Sequence, residues 1–342
     1  MNKKDSESEK GVDEQLEQRN GSAGVTGKRQ KVKNHYKKWC YGCYMPHRMM
    51  PGANDLSRIY VGFPNIAQNG VSKARLEVTG LEFFNPAPDS IQVTERIITH
   101  NPSMYTPTLD PWSGGTYVVT NGTYSDKAIV YLPVPKTHTL HPVSNAAIVN
   151  ATVPINDQDQ IALYATQLVK LEKVTTALVG KPLLHIGKLP AIHVKYNATT
   201  TYNGMNGLQG FNVTDIKIDP GNTLLILPNM NGTAFIPNPS NITADLGNVT
   251  FSLKDPKGVE VGVALIENML LRPGDNNLPL IGMLNQTLVI PALDNGFLNL
   301  TIVGTSCVYN GKHIPYYEAA LAATILSLRL NVLQILKDSL GV

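Results

Sequence analysis

His35, Cys40, Cys43 and His47 stand in the order H-x4-C-x2-C-x3-H. Thiol and imidazole groups so closely spaced are the ligand types of a small zinc knuckle. The segment has few apolar residues to organise around an ion, and Cys40 and Cys43 adjoin a basic run. Reversible palmitoylation of the two thiols is therefore expected ahead of zinc, with free thiols as the plain alternative, and no metal site is assigned. His138 and His141 in "HTLH" have i, i+3 spacing but lack the glutamate of a metalloprotease helix, so they read as loop histidines. His185, His193 and His313 stand singly near strand candidates and read as structural. Cys307 has no neighbouring base and reads as a buried thiol. Neither a nucleophile elbow, nor a phosphate-cradling loop, nor a dinucleotide fingerprint is present. No catalytic residue and no cofactor is assigned, and the expectation is a protein without enzymatic activity.

A second chemistry is spread along the chain. N-x-S/T acceptors for N-glycosylation occur at Asn121, Asn150, Asn197, Asn212, Asn231, Asn241, Asn248, Asn285 and Asn299, with a further one at Asn20. Their density exceeds random placement by roughly twofold, which suits a domain exposed to the secretory lumen. An Asn- and Thr-rich solvated surface without glycans is the alternative.

Composition narrows the classes that could carry these groups. The chain has 342 residues, enough for two ordinary domains, and 42% are hydrophobic. Its mean hydropathy of -0.09 excludes a multispanning protein. A net charge of +3 gives no case for nucleic acid, and three cysteines cannot form a disulfide framework. No apolar stretch follows "MNKKDSESEK", so signal-peptide logic fails. Residues 1–35 are rich in Lys, Glu, Ser and Gly and are expected to be a disordered tail. Within it Lys28, Arg29, Lys31, Lys33, Lys37 and Lys38 accumulate without acids, as in a cytoplasmic juxtamembrane segment facing anionic lipid.

The elements that would position these residues are mostly strands. Val149, Ala151, Val153 and Ile155 share one expected strand face, as do Leu298, Leu300 and Ile302. "RLEV", "SIQVTERII", "KAIVYLPV", "VTDIKI", "TLLIL", "VTFSL", "VEVGVAL" and "TLVIPAL" are further candidates. Short strands between turn signals predict a mainly β fold of tandem immunoglobulin-like sandwich modules. Two stretches read as amphipathic helices. One carries Ile161, Ala165, Leu168, Leu171, Thr175 and Leu178 on a face; the other carries Leu321, Ile325, Leu328, Val332 and Ile335. A helix laid across a curved sheet could enclose a groove for a lipid acyl chain. An internal repeat pairs "FFNPAPDSIQVTERI" with "IPNPSNITADLGNVTF", with corners at Asn85-Pro86 and Asn238-Pro239. The expected divisions are 1–59, a tail and disrupted juxtamembrane segment, 60–219, a first module, and 220–342, a second module.

"IYVGFPNIAQNGVSKARLEVTGLEFFNPAPDSIQV" resembles the opening of the lumenal region in a family of fungal vacuolar-membrane proteins, whose domains are similar to the WHy domains of late-embryogenesis-abundant proteins. The resemblance covers 59–342 and is most specific at "YVGFPNIAQ" and Asn85-Pro86. It implies a basic cytoplasmic tail, one membrane helix and lumenal WHy-like modules, and it implies no catalytic residues. This chain departs from the pattern between Trp39 and Tyr60, where "CYGCYMPHRMMPGANDLSR" stands instead of an apolar helix. Two readings of that departure are a defective gene model or splice form, which the sequons favour, and a soluble cytoplasmic paralogue. The expected function is scaffolding or signalling at the fungal vacuolar or late-secretory membrane, through unknown protein partners. Lipid binding or transfer, and soluble stress protection, are the alternatives. An open groove lined by Leu, Ile and Val would favour lipid.

Overall fold

A computed structural model describes residues 54–219 and 228–340. The tail, Asn20, His35, Cys40, Cys43 and His47 lie outside the described residues, as does "TLLIL". Residues Ala53–Val342 form one compact unit.

Alternating apolar residues bounded by Asn, Gly and Pro become strands throughout, and the fold is mainly β. The first half runs α1 (Asn54–Lys73), β1 (Arg75–Phe84), β2 (Ser90–His100), β3 (Thr108–Leu109), β4 (Trp112–Thr120), β5 (Thr123–Tyr124), β6 (Val130–Val134), β7 (Thr137–His138) and β8 (Val143–Pro154). It continues with α2 (Gln158–Lys170), β9 (Lys173–Gly180), β10 (Leu183–His185), β11 (Ile192–His193) and β12 (Tyr196–Asn203). The second half contains β13 (Asn212–Ile218), β14 (Met230–Asn238), β15 (Ile242–Lys254), β16 (Glu260–Leu271), β17 (Gly274–Leu284) and α3 (Gln286–Val289). It ends with β18 (Phe297–Tyr309), β19 (Lys312–His313), α4 (Pro315–Ala323), β20 (Ile325–Asn331) and α5 (Val332–Leu340).

The largest sheet has the order β13-β14-β17-β16-β15-β1-β2-β8, with β18 also on β15 and both β19 and β20 on β18. Its two halves meet where β1 and β15 pair in parallel, Leu81 opposite Ile242. A second sheet, β12-β9-β4 with β5 and β6 also on β4, faces β1, β2 and β8 across a sandwich-like core. A small sheet, β11-β10-β3-β7, stands beside it.

Several expected elements are corrected by this arrangement. The helix read through Leu178 stops at Lys170, and Leu171 turns extended with φ -92 and ψ 149. Thr175 and Leu178 belong to β9, which pairs with both β4 and β12. The β-branched run "KVTT" gains more from two ladders than from continuing a helix. The C-terminal helix likewise breaks at Thr324: Ile325 and Leu328 lie on β20, where Leu326 and Leu330 are buried with period two. "TLVIPAL" is a short helix capped by the Asn285 side chain, followed by a tight turn at Pro291. Leu298, Leu300 and Ile302 do share a buried face. Val149 does not join Val153, because Val149 and Asn150 bulge opposite Thr94 and the strand face changes phase there. Asn150 takes φ 51, and its backbone N–H donates to Thr94 Oγ1 at 2.9 Å.

The corners tell a similar story. Asn238 is buried; its Nδ2 donates to the Ile242 carbonyl at 2.9 Å, and Ser240 N–H donates to its Oδ1 at 3.1 Å. Asn85 is exposed, sits at φ 45, and bonds Gln92 and Tyr309. The geometric counterpart of Asn238 is Asn101, whose Nδ2 donates to the Tyr105 carbonyl at 2.9 Å and whose Oδ1 accepts from Ser103 N–H at 3.0 Å. Both lie in Asn-Pro-Ser, and each follows a hairpin with an irregularity just after Val-Thr: β1–β2 near Val78, and β13–β14 near Thr214. The hairpin, not the corner at Asn85, is the repeated unit.

Candidate functional site

Two hydrophobic clusters fill the interior. The main one runs through the sheets, α2 and α4. A smaller one joins Phe63 and Ala67 of α1 to Leu109, Leu184 and Val194 of the small sheet and its flank. Between them lies an apolar slot with a cavity of about 80 Å³.

The helix α1 roofs this slot. Phe63, Ala67 and Val71 recur at helical spacing and seat it on the small sheet. Gln68 fixes its position: its Oε1 accepts from Lys195 N–H at 2.7 Å, and its Nε2 donates to the Lys195 carbonyl at 2.8 Å. That pair of bonds imitates one rung of a β-ladder. Ala67, Gly70 and Ala74 present almost no side chain to the slot, and a Cβ at Gly70 would meet nothing within 4 Å. The sandwich supplies the opposite wall through Ile97, Ile148, Leu178 and Trp112. The Trp112 ring packs against Tyr196 with centroids 5.1 Å apart. It lies over Gly180, where a Cβ would stand 2.1 Å from the ring. Glycine is required at that position by close approach rather than by backbone torsion.

Elsewhere in the core a few polar groups stand among apolar ones. Glu95 on β2 shares a cavity of about 50 Å³ with Thr116, Thr176, Tyr164 and Tyr202. Among the described residues its carboxyl has no hydrogen-bond partner, and burial pushes its pKa up from 4.5 to about 7. Glu95 is half-buried, and the apolar residues that line the cavity around it account for the strong desolvation. Tyr164 and Tyr202 hydrogen bond to each other at 2.8 Å. Burial raises Tyr202 to about 12.

A further apolar cavity of about 40 Å³ lies between α2 and α4, near Tyr164, Tyr316 and Tyr317. It is narrower than the slot. The groove expected beneath the amphipathic helices is thus matched there only by a small gap, whereas the larger space is under α1. The signal for it was present in Phe63, Ala67 and Val71, but Pro64 and the glycines around them obscured a helix.

The remaining singled-out residues do not converge. His138 Nδ1 lies 2.9 Å from Thr108 Oγ1, while His141 Nδ1 lies 3.0 Å from the Asn101 carbonyl. His185 pairs with Asp110 at 2.7 Å and His193 is exposed. His313 pairs with Glu318 at 2.6 Å. Burial opposes the Glu318 charge, but bonds from His313 and Cys307 N–H prevail and hold its pKa below the ordinary value. Cys307 is fully buried; its thiol donates to the Leu246 carbonyl at 3.0 Å, and burial pushes its pKa up to about 12. The expectation of a buried thiol holds.

The sequon asparagines share a feature that sequence could not show. Eight of the nine are exposed, and Asn285 is half-buried at the α3 cap. Asn150, Asn197, Asn248 and Asn285 accept hydrogen bonds through Oδ1. None of the nine donates through Nδ2, whereas Asn85, Asn101, Asn156, Asn229, Asn238 and Asn276 all do. Nδ2 is the atom that takes a glycan.

The fold defines a mainly β, sandwich-like protein with an apolar slot under a helix. A family model described as a protein of unknown function (DUF3712) matches residues 127–253. None of the curated proteins matches the chain. Among solved structures, a protein from Archaeoglobus fulgidus is similar at 9% identity, covering 38% of this chain and 94% of that one, with a TM-score of 0.21. A DUF4785 family protein from Legionella pneumophila is similar at 14% identity over 76% of this chain and 57% of its own, with a TM-score of 0.22. A protein of unknown function from Porphyromonas gingivalis shares 11% identity over 75% of this chain and 98% of its own, with a TM-score of 0.17. Likeness at this level implies nothing further about this chain. Among the described residues no helix is long and apolar enough to cross a membrane.

Proposed function

We propose that this chain is a non-enzymatic lipid-binding protein whose slot takes the end of one unbranched acyl chain, from a fatty acid or a lysophospholipid. The observation that carries this reading is the unfilled apolar gap between two hydrophobic clusters. Protein interiors are close-packed, and an apolar void lowers stability unless something occupies it. An apolar cavity of about 150 Å³ holds a benzene ring. The slot, at about 80 Å³, is smaller than that and admits only the last few methylenes of one flexible chain. Trp112 reports on it directly. In Trp39→Phe protein, where Trp112 is the remaining indole, a brominated fatty acid is expected to quench fluorescence saturably. Gly70→Phe, which fills open space, should abolish the quenching without lowering the melting temperature. Unchanged fluorescence in the parent, or equal quenching in the plugged variant, sinks the reading.

Scaffolding or signalling at a fungal vacuolar or late-secretory membrane, with the body lumenal, is the second reading. The nine sequon amides with uncommitted Nδ2 atoms favour it. Endogenous protein should then pellet after alkaline carbonate extraction and shift in mobility with endoglycosidase H. A soluble protein without a shift removes the lumenal placement and returns a cytoplasmic, stress-protective role.

A further inference from the structure

We infer that the loops at one end of the small sheet form a docking surface for an anionic phospholipid bilayer. The pairing register collects three loops at that end. Leu184 pairs with Leu109 and His185 with Thr108, so the loop after β10 emerges beside the loop that precedes β3. Thr108 pairs with His138 and Leu109 with Thr137, so the loop after β7 emerges there too. The bonds Asn101 N–H to Pro142 carbonyl, 2.8 Å, and Thr139 N–H to Pro107 carbonyl, 2.9 Å, tie two of them together.

Each loop carries an apolar side chain into solvent: Met104 is 86% exposed, Leu140 49% and Leu189 40%. Single exposed hydrophobics are ordinary on soluble proteins, but three on adjoining loop tips form a patch. Cations accompany them. Lys73 and Arg75 border a shallow depression shared with Asn101 and Pro142, and Lys188 adjoins Leu189. Asp55, in the first turn of α1, is the sole Asp or Glu within 54–76, 96–109, 127–156 and 173–214, the segments that supply α1, the slot and all three loops. Glu77, the nearby acid on β1, is held by His100 at 3.1 Å. The nine sequons of the body also lie outside the three loops and α1. Apolar tips that enter the interfacial region, with flanking cations on lipid phosphates, match a negatively charged bilayer and not a protein groove. Tyr105 and Ile186 of these loops also line the slot, so docking would bring the slot's lining close to the lipid.

Vesicle flotation of the full chain tests this surface. The probe is phosphatidylcholine vesicles with and without phosphatidylserine. The wild-type chain should float with the anionic vesicles. The triple variant Met104→Asp, Leu140→Asp, Leu189→Asp should bind them at least about tenfold more weakly with its thermal unfolding unchanged, because all three side chains are exposed. Lys73→Glu, Arg75→Glu, Lys188→Glu should erase the preference for phosphatidylserine. The basic tail is a separate route to the same lipid, so both series are repeated in a chain with Lys28, Arg29, Lys31, Lys33, Lys37 and Lys38 changed to Gln. Loop dependence that persists there supports the surface. Flotation of the triple variant equal to wild type, or binding that disappears entirely with the tail charges, overturns it. Gly70→Phe should leave flotation intact, so a failure of the slot and a failure of the surface are read separately.

Discussion

Glu95 makes the stability of this protein depend on pH in an unusual direction. Most carboxylates in folded proteins are favoured as charges, and their proteins lose stability in acid. Glu95 is held in a cavity without a partner among the described residues, and its pKa rises from 4.5 to about 7 on folding. Between those values the folded chain binds a proton that the unfolded chain has released. Raising the pH through that window therefore favours unfolding, and the loss is complete above about 7. A separation of about 2.5 pH units, at about 1.4 kcal/mol per unit, corresponds to about 3 kcal/mol. Glu95→Gln removes the titration while preserving shape. Urea unfolding at pH 5 and pH 8 provides the assay, with buffers chosen about those limits. The variant should match or slightly trail wild type in acid and exceed it by up to about 3 kcal/mol in base. If wild type and Glu95→Gln show the same change between the two pH values, the carboxyl does not titrate in the core and the reasoning fails.

Gly180→Ala should lower stability by about 1–3 kcal/mol, since its Cβ would stand 2.1 Å from Trp112 and the indole must move; a shift of Trp112 emission in Trp39→Phe protein checks it. Asn101→Ala and Asn238→Ala should each cost about 1–3 kcal/mol in denaturant unfolding by stranding buried backbone groups, whereas Asn85→Ala at the exposed corner should cost less than about 1 kcal/mol. Cys307 should resist alkylation by iodoacetamide at pH 8 in the folded protein and react once urea unfolds it, followed by mass spectrometry of its peptide.

Much of the architecture was legible because strand burial leaves a two-residue signature. Leu298, Leu300 and Ile302 could be assigned to a buried face from their spacing, and they occupy one. Val149 could not, because a bulge shifts the phase of β8 and its cause lies in Thr94 on another strand. The two long helices were read too far for a related reason. Leu178 and Leu328 fit helical and alternating patterns alike, and the ladders available to β9 and β20 decided between them. The repeat was visible as Asn-Pro, yet three such corners exist, and burial, backbone torsion and hydrogen bonding in the folded chain separate Asn85 from Asn101 and Asn238.

The sequence by itself determined a mainly β chain, the sequon positions, the absence of recognised catalytic motifs and the burial of Cys307. These follow from local composition and period. The slot, the polar groups around Glu95 and the cluster of exposed loop tips were decided by tertiary structure. Each depends on residues more than thirty positions apart, Ile66 with Leu184 or Met104 with Leu140, brought together by strand register. Local pattern carries no record of a gap, because a void is defined by the atoms around it and not by any residue within it.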